Sequence, residues 1–315
     1  MQAAVKQRKP KKSYLAYVKK RFRLDWQLYI FLLPAIIYFI LFHYIPIYGV
    51  QIAFKDFIEV KGITGSPWVG FEHFERFFSS YQFWNLLKNT ILLSLYSLLW
   101  SFPCPIILAM LLNQVQNSRF KKLVQTVTYA PHFISVVVLV GMLQLFLSPS
   151  IGFVNNIIKL LGGDAIPFLS DPKWFRTIYI GSGIWQGTGW GAIIYIAALA
   201  GVSPELYDAA KVDGATRFQI IKNIDFPSIL PTAVILLIMN AGSIMNVGFQ
   251  KVFLMQNDQN VRISEVISTY TYKLGLVQTQ YSYSAAVGLF NSVVNIILLS
   301  IVNFVAKKVT ETSLW

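Results

Sequence analysis

The stretch Ser284–Val305 reads SAAVGLFNSVVNIILLSIVNFV, 22 residues without a single charged side chain. A bilayer core about 30 Å thick needs roughly 20 apolar residues in a helix that rises about 1.5 Å per residue, so this run has the length and character of a membrane-crossing helix. Five further windows share that character: Gln27–Ala53, Leu86–Leu112, Val127–Leu147, Ile178–Ala200 and Ile229–Phe249, and none of the six contains Asp or Glu. Strands of a membrane barrel would instead appear as alternating segments of about ten residues. Continuous apolarity over these lengths predicts an all-α polytopic membrane protein with about six transmembrane helices.

Composition agrees. The 315 residues are 55% hydrophobic and 13% charged, with a mean hydropathy of +0.53, whereas soluble domains carry roughly 25% charged residues. The net charge of +13 is unevenly spread, and nine Lys or Arg, from Lys6 to Arg23, precede the first acid, Asp25. Under the positive-inside rule such a cluster stays in the cytoplasm and orients the first helix. Arg119, Lys121 and Lys122, and then Lys307 and Lys308, fall on the same inner side, which makes both termini cytoplasmic. The expected organisation is a basic tail over 1–26, a six-helix membrane domain over 27–306 and a short cytoplasmic end over 307–315. The basic run lacks an accompanying aromatic groove, so no nucleic-acid partner is expected; its natural partner is membrane lipid. The first apolar run is too long for the h-region of a signal peptide and is expected to be retained. Cys104 is the lone cysteine, between Pro103 and Pro105, which excludes an internal disulfide.

Between the fourth and fifth windows, within 203–227, lies Ser203-Pro204-Glu205-Leu206-Tyr207-Asp208-Ala209-Ala210-Lys211-Val212-Asp213-Gly214-Ala215. Ser203 can cap a helix, Pro204 suits its first position and Glu205 its positive end. Gly214 supplies the left-handed stop, after which Asp213 or Thr216 can cap a second helix. Pro227 marks entry to the next crossing. Read without further pattern, this stretch is either an amphipathic helix lying on the membrane or a helix–turn–helix elbow for a cytosolic partner.

This segment resembles the signature of the permeases of binding-protein-dependent ABC importers, approximately E-A-A-x-x-D-G-A followed downstream by I-x-L-P. Asp208-Ala209-Ala210, Asp213-Gly214-Ala215, Ile224 and Pro227 fit it; Asp208 stands where Glu is usual, Ile221 where Phe is frequent and Phe226 where Leu is usual. The resemblance extends along the chain through Phe31–Ala35, Tyr129–Pro131 and Gly288–Asn291, all similar to the maltose-type branch. Tyr44–Lys55, Asp171–Arg176 and Thr312–Trp315 look like the polysaccharide or complex-oligosaccharide permeases of Gram-positive bacteria.

The resemblance implies a type I ABC importer permease fold in a Gram-positive plasma membrane. Implied partners are a second homologous permease, two ATP-binding subunits that hold ATP and Mg, a lipid-anchored extracellular solute-binding protein and an oligosaccharide. The chain itself has no G-x-x-x-x-G-K-[ST] loop, so it is not expected to be an enzyme, to hold a cofactor or to contain catalytic residues. Coupling to the ATPase falls, by resemblance, to Glu205, Asp208, Ala209, Ala210, Lys211, Asp213, Gly214, Ala215, Ile224 and Pro227. A saccharide passage needs hydrogen-bonding groups and flat aromatic faces. Trp185, Gln186, Trp190 and Tyr195, Asn240, Asn246 and Gln250, and Asn291 and Asn295 are the candidates to line it, against the alternative that they bridge helices.

His43 and His132 lack the companion ligands of a metal site and read as structural. Two other function classes fare worse. A secondary carrier generally needs ionisable groups inside its spans, and a membrane-embedded enzyme needs a clustered acid, metal-ligand or Ser/His arrangement. An ABC permease for a non-sugar solute stays open, since elbow segments of this kind are shared.

Overall fold

The computed structural model describes Arg21 and residues 24–310, the side chains of 309 and 310 excepted. Most of the basic tail and residues 311–315 therefore lie outside the described residues. The described chain is almost entirely helical, and its only extended pairing is an isolated bridge between Lys55 and Trp68. Helices α1 (Trp26–Phe54), α3 (Phe83–Asn113), α9 (Arg217–Ala241) and α12 (Tyr281–Thr310) are each long and apolar enough to cross a membrane. Between them lie α2 (Glu72–Ser79), α4 (Ser118–Phe133), α5 (Val136–Phe146), α6 (Phe153–Leu160), α7 (Pro172–Ala200), α8 (Pro204–Val212), α10 (Phe249–Met255) and α11 (Ile267–Tyr272). Counting each of the bent pairs α4–α5 and α7–α8 as one crossing brings the number to six.

Two of the expected spans need correction. The window Val127–Leu147 is two pieces that meet at 98°. Pro131, which has no amide to donate, opens a 3-10 turn over Ala130–Phe133, and Ile134 and Ser135 are extended. The Ser135 hydroxyl then accepts from the Val138 amide at 3.3 Å and starts α5 afresh. With 11 residues, α5 reaches about 16 Å, half of a bilayer core. The window Ile229–Phe249 is displaced toward the N-terminus: α9 begins at Arg217 and ends at Ala241, and residues 242–248 are irregular. As a result, α9 contains Asp225, so the crossing helices are not all free of carboxylates. The window Ile178–Ala200 lies within α7, which ends at Ala200 and passes through a 77° bend into α8, the separate short helix expected for the elbow.

Helix α3 organises the bundle because it contributes to all three hydrophobic clusters. Phe83 and Leu86 pack with Phe77, Met245, Ile267, Tyr283 and Val287. Leu93 joins Val140, Phe175, Val252 and Val266, and Ile106 and Ala109 meet Ala192, Tyr195, Leu199 and Ile229. By contrast, α1 keeps its large apolar side chains exposed from Trp26 to Tyr48 and packs chiefly through its last turns, against α12 and α2. A helix that is apolar all round and uncovered belongs in hydrocarbon or against another membrane helix.

The connections are ordered by polar side chains. Asn155 is fully buried; its amide donates to the carbonyls of Leu147, Ser148 and Ile166 and its carbonyl accepts from the Ile166 amide. Asn89 plays the same part between α3 and the carbonyls of Arg262 and Glu265.

Close approach of α7 to the end of α4 depends on Gly189, where an added Cβ would lie 2.1 Å from the Thr128 carbonyl oxygen. Backbone cannot yield as a side chain can, so Gly189→Ala is expected to cost about 1–3 kcal/mol of overpacking. Gly181→Ala, on the same helix with nothing within 4 Å of the new methyl, should be tolerated. Thermal unfolding of the two detergent-purified variants checks the contrast.

Candidate functional site

The elbow is assembled from local signals. The Ser203 hydroxyl accepts from the Glu205 amide at 3.3 Å and Pro204 occupies the first turn of α8. At the other end, Gly214 adopts φ +72°, the Ala215 amide donates to the Ala210 carbonyl at 2.8 Å and the Gly214 amide donates to the Lys211 carbonyl at 3.1 Å. That pair of bonds is a Schellman termination, which satisfies two carbonyls the helix would leave unbonded. Thr216 caps the next helix through a reciprocal pair with Gln219, while Asp213 closes α8 and caps no second helix.

Of the ten expected coupling residues, Glu205, Asp208, Ala209, Lys211, Asp213, Gly214 and Pro227 are exposed, and Ala210, Ala215 and Ile224 half-buried. Asp208 and Lys211 pair at 2.9 Å with both side chains well solvated, an arrangement worth about 0–1 kcal/mol. Around them Leu206, Val212 and Phe218 are 53%, 87% and 72% exposed. The elbow thus presents apolar side chains outward and turns Tyr207 and Ala210 inward.

Tyr207 leads to a contact that the sequence motifs do not include. Its hydroxyl donates to Asp225 Oδ1 at 2.8 Å, and burial, with that bond, pushes its pKa up to about 12. Asp225 is fully buried. Asn113 donates to Oδ1 at 3.0 Å and Gln114 to Oδ2 at 2.6 Å. Two sequence signals mark the contact: Tyr207 lies three residues before Ala210 on one helical face, and Asp225 occupies the unspecified position of the I-x-L-P pattern.

A cavity of about 400 Å³ opens farther along the bundle, between α3, α7, α9 and the irregular segment 242–248. Of the nine passage candidates it gathers three, Tyr195, Asn240 and Asn246. Asn291 stands one step behind, its amide donating to Asn246 Oδ1 at 2.9 Å, and Asn295 Oδ1 accepts from the Met245 amide at 3.0 Å. The other four lie elsewhere. Gln186 donates to the Ile134 carbonyl at 2.7 Å, Trp190 stacks on His132 with ring centroids 4.4 Å apart, and Trp185 and Gln250 are exposed away from the cavity.

Ser94, Ser97 and Ser101 also line the cavity. Their i, i+3, i+7 spacing places them on one face of α3, a pattern legible in sequence. The Ser97 hydroxyl is buried there without a protein partner. Tyr179 completes the wall, and Lys251 of α10 sits against it: its Nζ donates to the Tyr179 carbonyl at 2.8 Å and lies 4.7 Å from the ring centroid. Lys251 is 8% exposed and, among the described residues, has no carboxylate within ion-pair distance. Burial alone lowers its pKa to about 8.

The chain has close counterparts among known proteins. The model of the family described as binding-protein-dependent transport system inner membrane component matches residues 101–311. Protein LplB of Bacillus subtilis strain 168 is 44% identical over 303 residues, covering 96% of this chain and 94% of that protein. The polygalacturonan/rhamnogalacturonan transport system permease protein YteP of the same organism is 43% identical over 310 residues, covering 98% and 95%. In the crystal structure of a bacterial ABC transporter involved in the import of the acidic polysaccharide alginate, one chain is 44% identical and superposes with a TM-score of 0.86, covering 93% of this chain and 99% of that one. This chain therefore belongs to the family of binding-protein-dependent transport system inner membrane components.

Proposed function

We propose that this chain is the passage-forming permease of an ATP-driven importer for oligosaccharides or polysaccharide fragments. The observation that carries the reading is the elbow: a short helix, capped at both ends, that turns its apolar side chains outward at the foot of two crossing helices. Such a surface suits a cytosolic ATP-binding subunit, one under each permease, with the elbow following its closure on nucleotide. A second homologous permease completes the passage and covers apolar surface such as that of α1. An extracellular solute-binding protein delivers cargo to the connections between helices. The positive N-terminal tail places the elbow in the cytoplasm by the positive-inside rule.

Cargo chemistry derives from the cavity. Tyr179 and Tyr195 supply ring faces, and Asn240, Asn246 and the serines of α3 supply hydrogen-bonding groups, as sugars require. No cavity-lining residue is charged, so the ammonium of Lys251 behind Tyr179 sets the sign of the local field. Relatives named for acidic polysaccharide alginate and for polygalacturonan support the same reading, an anionic saccharide.

Three outcomes test these assignments. In proteoliposomes holding the full complex, uptake of labelled oligogalacturonate or alginate oligosaccharide is expected to require ATP and the solute-binding protein; uptake driven by an ion gradient alone would point to a carrier. Gly214→Pro should abolish uptake while leaving membrane insertion intact, because proline cannot adopt φ +72°. Lys251→Met, which keeps the stem and removes the charge, should slow uptake of the anionic saccharide at least fivefold without weakening recovery of the ATPase subunit. Equal uptake by wild type and variant would remove Lys251 from the selection of cargo.

A further inference from the structure

Asp225 is the most enclosed charged side chain among the described residues, with no exposed surface, and no Lys or Arg among them pairs with it. It ends the π turn Ile221–Asp225 through which α9 begins. Three neutral donors serve it, one from each of three places: Tyr207 from the elbow helix α8, Asn113 from the last residue of α3, and Gln114 from the residue that caps α3. Asn113 also donates to the Tyr207 hydroxyl at 3.2 Å, which closes the network into a ring.

Such a centre is a poor device for stability alone, since apolar residues of similar volume generally serve a buried position as well or better. Its effect is geometric: each donor is held in one register by an acceptor that has no alternative partner. Within α8 only Tyr207 and Ala210 turn inward, and Ala210 has no polar side chain. The Tyr207 hydroxyl, bonded to Asp225 of α9 and to Asn113 of α3, is therefore the side-chain tether between the elbow and the crossing helices.

Those two crossing helices are also the walls of the cavity. From Asn113 back along α3 to the nearest cavity residue, Pro105, is 8 residues, and from Asp225 along α9 to the nearest, Leu236, is 11. At about 1.5 Å per residue the two arms are roughly 12 and 16 Å long. One displaced point thus moves two walls through short arms.

Resting on the permease reading above, we propose that Asp225 is a positioning residue: its carboxylate, held by Tyr207, Asn113 and Gln114, makes the elbow and the inner ends of α3 and α9 move as one body and so carries the ATPase stroke into both walls of the cavity. The raised pKa of Tyr207 accords with a hydroxyl committed to donating into this centre.

The test uses the reconstituted complex and two variants. Tyr207→Phe removes the tether alone and leaves Asn113 and Gln114 bonded to Asp225; Asp225→Leu removes the centre. Both are expected to retain the ATPase subunit on purification and to keep hydrolysing ATP, while saccharide delivered per ATP falls at least tenfold for Asp225→Leu and several-fold for Tyr207→Phe. A wild-type ratio of uptake to hydrolysis in Tyr207→Phe overturns the proposal, whether or not Asp225→Leu folds. An equal fall of both activities overturns it too, since that marks a merely structural role. If the wild-type complex neither transports nor hydrolyses, the permease reading fails, and the clamp is judged on the purified chain by hydrogen–deuterium exchange. There Tyr207→Phe should speed exchange of the 205–213 amides at least tenfold, and unchanged exchange refutes the tether.

Discussion

Backbone hydrogen bonding without water is the constraint on which this molecule is built. In hydrocarbon an unbonded amide or carbonyl costs several kcal/mol, so a chain that spans a membrane stays helical unless other groups take over. Helix α9 breaks at Gly242, and the groups that take over can be named. The Asn295 side chain accepts from the Met245 amide, the Ser94 hydroxyl donates to the Ile244 carbonyl, and the Tyr179 hydroxyl is hydrogen-bonded to the Gly248 backbone. Three different helices thus hold one irregular segment, and the cavity opens at that segment. Leu299 packs closely over the break: a Cβ at Gly242 would lie 2.7 Å from its Cδ1, so that side chain would have to turn aside.

The same constraint explains which features are legible in the sequence and which are not. Apolar length is additive along a window, so α1, α3, α7 and α12 are legible to within a few residues. The turn chemistry of the elbow is local, and Ser203, Pro204, Gly214 and Thr216 act as their residue types dictate. Breaks inside an apolar window leave composition unchanged, which is why the 98° bend at Ile134–Ser135 and the irregular 242–248 segment do not show in it. Pro131 and Gly242 mark those places, but proline and glycine are also tolerated in continuous membrane helices.

Polar residues in the spans divide along a similar line. Asn291 and Asn295, four residues apart on α12, both reach the broken segment and do structural or supporting work there. Gln186 and Trp190 brace the bend between α4 and α5 through Ile134 and His132. Sequence can identify these side chains as polar in an apolar setting, but their targets are backbone groups freed by breaks that only the fold reveals. Tyr195 and Asn240 reach the cavity because their helices turn that way, and Asn246 reaches it from the irregular segment, a matter of tertiary arrangement rather than of residue type.

Two buried charges mark the ends of this arrangement, Asp225 toward the elbow and Lys251 beyond the broken segment, and neither is in an ion pair among the described residues. A buried ion pair binds its partners strongly, and removing one member typically costs about 3–5 kcal/mol. Neutral partners bind each charge more gently: Tyr207, Asn113 and Gln114 at one end, and the Tyr179 carbonyl and ring at the other. Each hydrogen bond from a neutral group to a charge is worth about 1.5–3 kcal/mol net, enough to fix a register. A carboxylate and an ammonium facing each other across the bundle would tie its walls together, whereas a single charge among neutral groups fixes only its own end.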